Sequence, residues 1–291
     1  MSIKYPRGSE WRQWDLHIHT PASFHWDGER FSQAGNCPRD IELIDEMIVA
    51  LNDAAPTVYA IQDYWHFDGW FALKRRLSDP AAPTLNKTVF PGIELRIAAP
   101  MAARLNAHVI FSDKIPDQLL KDFLSKLKLE ITGQPVSEHA LITYARRVNA
   151  DKLKMHGFDK GQVLTEDQVA LKAGFVTAEI TVDSYKEAVR CVPDGLACGF
   201  MPFETNDGLA TVKHLEHYAY VLGLFDSSPI FETRKEELWN AFVGRRTPAN
   251  EKFFEAFQES INYTPRLPVS GSDAHRFRGV PGDVAPKFYP T

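Results

Sequence analysis

Two short stretches far apart in the chain carry side chains suited to holding a metal ion. The first is Asp15-Leu16-His17-Ile18-His19-Thr20. On a strand, residues i and i+2 point to the same side, so His17 and His19 project together and Leu16 and Ile18 face away. Paired imidazoles suit a borderline ion such as Zn²⁺, Fe²⁺ or Mn²⁺. A surface strand with two polar positions fits the same letters. His25 follows in a loop with Asp27 and Gly28. The second stretch is Gly271-Ser272-Asp273-Ala274-His275-Arg276, where Asp273 and His275 repeat the i, i+2 spacing. A carboxylate and an imidazole complement the early pair, although Gly-Ser-Asp is also an ordinary turn composition.

Three further positions sit on or beside apolar runs. Glu94 ends the run Pro91-Gly92-Ile93-Glu94-Leu95, and a carboxylate there needs a cationic partner or a metal. His108 begins Ala107-His108-Val109-Ile110-Phe111; a hydrogen-bonded core histidine is its competing reading. Asp63 follows the short run 57–62 and could equally cap a helix. Arg276 and Arg278 follow the second stretch directly. Their guanidinium groups suit a substrate phosphate or a surface salt bridge. His214 and His217, three apart, read as a solvated helix face. Trp11, Trp14, Trp26, Trp65 and Trp70 crowd one end and read as packing rather than base stacking.

These positions need strands and loops to hold them. Strands are expected over 14–19, 57–62, 88–95, 107–111, 176–182, 196–203, 229–231 and 267–270. Helices are expected over 39–52, 67–77, 138–148 (capped by Ser137), 209–222 and 251–261. Thr165 and Gln168 suggest a capping box for one more. Seven or eight strands separated by helices favour parallel pairing. Without a G-x-G-x-x-G after the first strand, they favour a barrel over a dinucleotide-binding sheet.

Composition bounds the rest. The 33 Lys+Arg against 38 Asp+Glu give a formal charge of −5, which argues against a basic nucleic-acid coat. Three scattered cysteines (Cys37, Cys191, Cys198) exclude a disulfide framework and a Cys-rich zinc module, and fit a reducing, cytoplasmic setting. Residues 1–15 lack the apolar core of a signal peptide, and no apolar run is long enough to span a membrane. With 291 residues, a single domain over 1–291 is expected, and it needs no staple to fold.

The order of motifs along residues 14–276 resembles the polymerase and histidinol phosphatase (PHP) superfamily of metal-dependent phosphoesterases. It runs from DLHIHT through a loop His, an Asp-ended strand and GIEL to a strand His and SDAH. The resemblance implies an α/β fold of a distorted seven-stranded TIM-like barrel type. It implies one to three divalent ions, Mn²⁺, Zn²⁺ or Fe²⁺. One would be held by His17, His19, Glu94 and Asp273; Glu94 would bridge to a second, bound also by His108; a third would take His25 and His275. His275 or Asp63 would transfer protons, and Arg276 would hold substrate charge. The chain departs from that pattern at Tyr64, where a His is usual, and at Met201, which stands before Pro202 where a His is usual. His66, Glu204 and His214 are possible substitutes. One firmly held ion and one or two weaker ones are expected.

The stretch 5–20 is similar to a PHP subgroup fused to SMC/ABC-type ATPases. This chain has no phosphate-binding G-x-x-x-x-G-K-[ST], so any ATPase would be a separate partner or an adjoining domain. The expected function is a phosphodiesterase or nuclease acting on DNA or RNA. A small-molecule phosphomonoesterase is one alternative, and a non-catalytic partner module with a decayed site is another. An amidohydrolase also begins with H-x-H, but no mid-chain strand offers a metal-bridging Lys.

Overall fold

The computed structural model describes residues 12–100, 104–205, 207–214, 216–279 and 287–289. These residues fall into two compact units. The first comprises the described residues within 1–61, 68–90 and 271–291; the second comprises those within 62–67 and 91–270. The fold class is α/β, seven strands with helices between them, consistent with a TIM-like barrel type. No helix among the described residues is long and apolar enough to cross a membrane.

The first unit holds β1 (Trp14–Ile18), α1 (Pro38–Asp53), β2 (Val58–Ile61) and α2 (Asp68–Leu77). β1 and β2 pair in parallel. Pro38 opens α1, and the Cys37 side chain caps it by accepting from Asp40 N. Asp40 then accepts from the amides of Ser32, Gln33 and Gly35 at 2.9, 2.8 and 3.1 Å, which secures the loop that follows the His25 segment. Leu43, Ile44, Met47, Ile48 and Leu51 make the buried stripe of α1.

The second unit opens with β3 (Thr88–Ile97, whose first residues belong to the first unit) and β4 (Leu105–Phe111). Six helices follow: α3 (Asp117–Lys126), α4 (Glu138–Arg147), α5 (Ala150–Met155), α6 (Lys160–Thr165), α7 (Asp167–Thr177) and α8 (Val182–Cys191). Next come β5 (Ala197–Pro202), α9 (Tyr218–Ser227), β6 (Ile230–Glu232), α10 (Glu236–Phe242), α11 (Phe254–Ser260) and β7 (Leu267–Val269). Ser137 caps α4 as expected, accepting from Ala140 N at 3.2 Å. The α4–α7 contact is close because Gly174 has no Cβ; one would lie 2.6 Å from Leu141 O. Around β5 and β6, Phe203, Phe225, Phe231, Phe242 and Phe257 pack ring against ring.

Four expectations are corrected. Strand β4 runs antiparallel to both β3 and β5, whereas β5–β6 and β6–β7 are parallel. Residues 176–182 are not a strand. Val176 and Thr177 finish α7, Ile180 makes isolated bridges to Ile97 and Leu129, and Thr181 caps α8. Thr165 ends α6 instead of capping α7, and its hydroxyl donates back to Gly161 O. The single helix over 209–222 becomes a 3₁₀ turn at Leu209–Thr211 and a helix that begins at Tyr218. Between them the His214 ring turns in against Phe203 and Phe225. Leu215, expected on that helix's inner face, lies outside the described residues, as do 5–11 of the N-terminal motif.

Candidate metal centre

In the first unit, β1 and the segment after β7 come together as parallel neighbours. His19 N donates to Ala274 O and Asp273 N donates to His17 O, both at 2.9 Å, and Ile18 and Ala274 form a bridge. The alternation of DLHIH therefore runs alongside that of SDAH, and their ligand faces coincide. Nε2 of His17 and Nε2 of His19 each lie 3.4 Å from Asp273 Oδ1. Ligand atoms of these three residues all fall within 4.8 Å of one another. Two donors each about 2.1 Å from a tetrahedral ion lie about 3.4 Å apart, so the spacing fits a shared ion.

His275 joins this cluster. Its Nε2 lies 2.9 Å from Asp273 Oδ1 and its Nδ1 lies 3.0 Å from the backbone carbonyl of His25. A carbonyl only accepts, so Nδ1 donates to it, and that bond aims Nε2 at Asp273. An outer N–H on a carbonyl is how metal-binding histidines are usually held. The His19 and His275 rings stack at 4.4 Å. His25 itself is exposed; its ring stands at 5.9 Å from His275, centroid to centroid, and its carbonyl does the holding.

Two residues enforce this geometry. Asp273 sits at φ 51°, in the left-handed region that Asp tolerates better than most residues. Gly271 lies so close to β1 that a Cβ on it would stand 2.4 Å from His17 Cβ. Burial by itself would raise the Asp273 carboxyl; the charge of His17 and the hydrogen bonds of His19 and His275 outweigh it and hold it well below the ordinary carboxylate range. Asp15, buried at the start of β1, accepts from Ser272 N at 3.0 Å and His17 N at 3.2 Å. Burial pushes its own carboxyl up.

The second unit carries its own polar cluster. The antiparallel register sets Glu94 opposite His108 and Arg96 opposite Asn106. All four are buried. Glu94 Oε1 lies 3.9 Å from His108 Nε2 and accepts from Asn106 Nδ2 at 2.6 Å. Asn106 also donates to the Tyr64 hydroxyl at 3.4 Å, and the Arg96 guanidinium lies 4.8 Å above the Tyr64 ring. Tyr64 thus stands beside Glu94, paired to it through a β-bridge. Burial lowers the Arg96 pKa. The Tyr185 hydroxyl donates to His108 O at 3.0 Å, tying α8 to β4. Asp63 is fully buried and its carbonyl accepts from Glu94 N.

The candidate substitutes stand elsewhere. The His66 ring packs on Phe175, Met201 is core, and Glu204 accepts from Arg234 N at 2.8 Å. Arg276 donates to Asp27 at 3.0 Å, while Arg278 lies 3.6 Å from Asp53. Both arginines line a cavity of about 940 Å³ whose other wall is Glu42, Asp45 and Glu46 of α1. Trp26, Trp65 and Trp70 are buried packing residues, as expected, but Trp14 is exposed; Trp11 lies outside the described residues. Sequence reading missed Asn106, Gly271 and Lys287 as site residues. Lys287 donates from its ammonium to Asp273 Oδ2.

No protein-family model matches the chain, and no curated protein sequence matches it. Among solved structures, the chain is similar to an amidohydrolase from Chromobacterium violaceum with bound sulfate and no metal. The identity is 13%, the TM-score 0.46, and 95% of this chain and 93% of that one are covered. It is also similar to a protein from Bifidobacterium adolescentis described as a candidate metal-dependent phosphoesterase, at 12% identity and a TM-score of 0.44, with 95% and 93% covered. Likeness at this level carries nothing about activity.

Proposed function

We propose that this chain is a divalent-metal-dependent phosphoester hydrolase acting on phosphodiesters of nucleic acid, beside an ATPase partner of SMC/ABC type. The observation that carries the hydrolase reading is the trio His17, His19 and Asp273, spaced to share one ion. The nucleic-acid substrate and the ATPase rest on the motif resemblance alone. A bound divalent ion would supply Lewis-acid charge at phosphorus and acidify a water. His17, His19 and Asp273 would hold it. His275, fixed through Nδ1–H on the His25 carbonyl, would accept or return a proton at Nε2. Arg276 would hold substrate charge on leaving Asp27. Glu94 and His108 would serve a weaker ion.

A small-molecule phosphomonoesterase is the second reading. It is favoured by the α1 carboxylates that face Arg276 and Arg278, a wall that repels a polyanion. One experiment separates them. The purified protein and Asp273→Ala are analysed for bound metal, then assayed with Mn²⁺ or Zn²⁺ on a phosphomonoester, a phosphodiester and single-stranded DNA and RNA. Wild type is expected to hold metal and cleave the diester and nucleic acid, and the variant to lose at least a hundredfold in metal affinity, beyond the loss typical of an outer residue. Equal, negligible metal in both proteins with no turnover sinks the hydrolase reading. Turnover of the monoester alone transfers it to the rival.

A further inference from the structure

Lys287 belongs to none of the motifs, yet its ammonium lies on the second oxygen of Asp273. The first oxygen, Oδ1, faces the Nε2 atoms of His17, His19 and His275 at 3.4, 3.4 and 2.9 Å. One carboxylate is therefore shared between a place for a metal and a cation of the chain itself. The lysine is placed by its backbone. His275 N donates to Lys287 O at 2.8 Å, Tyr289 N donates to Arg276 O at 3.2 Å, and Arg276 and Phe288 form a parallel bridge. The Tyr289 hydroxyl, fully buried, donates to His19 O at 2.8 Å. Tyr289 is buried, whereas the Lys287 side chain is 48% exposed and that of Asp273 24%.

We infer that Lys287 is a built-in competitor for the metal and an anion-binding group of the loaded site. Its ammonium holds Asp273 while no dication does. Once a dication takes Asp273, like charges a few ångströms apart repel, and the ammonium swings off on its flexible stem with its three donors available. It then stands at the rim of the centre, where an anionic phosphoryl oxygen of a substrate would arrive. The inference rests on the metal-dependent reading above. It predicts opposite signs for two affinities, whereas a merely structural lysine would weaken both when removed.

The test uses the full chain as wild type, Lys287→Met, Lys287→Gln and Lys287→Arg. Zn²⁺ affinity is measured by competition with a chromogenic chelator, and inorganic phosphate binding to the Zn²⁺-loaded protein by calorimetry. Removal of the ammonium is expected to tighten Zn²⁺ binding about tenfold, the scale of a nearby charge in a well-solvated site. Phosphate binding is expected to weaken about tenfold, and Lys287→Arg to restore both values. Lys287→Gln keeps a polar head at this half-exposed position and guards against misfolding of the methionine variant. Zn²⁺ affinity that falls or stays level in the neutral variants overturns the inference, and so does unchanged phosphate binding. Those results leave the metal reading standing. Wild type that binds no Zn²⁺ removes both.

Discussion

In the first unit, a carboxylate and three imidazoles are brought together from opposite ends of the chain by one parallel contact, with Asp273 at a left-handed φ and Gly271 pressed against His17. In the second, Glu94 and His108 face one another because two consecutive strands pair in an antiparallel register. The first cluster has its carboxylate partly open to solvent, at 24%, and balanced by an ammonium. The second is nearly dry, with Glu94 2% and His108 0% exposed, and a neutral amide donates to its carboxylate. The difference teaches where exchange is easy. A partly solvated site with a half-exposed counter-charge can admit an ion at modest cost. A buried pair set by register gains precision but must be satisfied within the fold.

The sharpest way to break this comparison is Gly271→Ala. The new Cβ would meet His17 Cβ at 2.4 Å, and both atoms are fixed to backbone. Overpacking of this kind typically costs about 1–3 kcal/mol, and displacing His17 should also cost at least tenfold in metal affinity, the range for disturbed supporting residues. Urea unfolding and metal titration check the two effects. If the variant keeps wild-type metal affinity, the close approach at Gly271 does not set the first cluster. A smaller effect is expected in the second. Asn106→Ala removes the amide that donates to Glu94 at 2.6 Å. A lost hydrogen bond to a buried charge costs about 2 kcal/mol, seen as a lower thermal midpoint with the metal content of the first cluster unchanged. A parallel loss of that metal would show that the two clusters do not act separately.

Much of the first cluster was legible because period-2 spacing specifies which side chains share a face. His17 and His19, and Asp273 and His275, needed only that rule. What joins the two pairs is a long-range backbone contact, and no local pattern announces it. Lys287 was invisible for the same reason: its role comes from a bridge beside Arg276, not from its neighbours. Strand direction was illegible as well. Apolar alternation in β4 reads the same for parallel and antiparallel pairing, so its reversal against β3 and β5 could not be foreseen. The apolar run 176–182 failed differently. Short apolar runs suit a helix end or a strand equally, and the packing of α7 on α4 took its first residues. Asn106 stands in an apolar strand, where an amide signals nothing until the register sets it near Glu94.

The pH dependence of stability sharpens the contrast with the smallest expected effect. Burial acts to raise the Asp273 carboxyl, but His17, His19 and His275 hold it well below the ordinary range in the folded chain. A group whose folded pKa is depressed contributes stability that is present above its unfolded value and is lost as pH falls through the folded value. In metal-free protein, wild type should therefore exceed Asp273→Asn in stability at pH 5 to 6, above the ordinary Asp value of about 3.9. The gap should narrow steadily as pH drops below about 4. Urea unfolding of both proteins across that range measures it. A gap that widens towards acid would mean that Asp273 takes up its proton more readily folded than unfolded, and the charge balance drawn for the first cluster would be reversed.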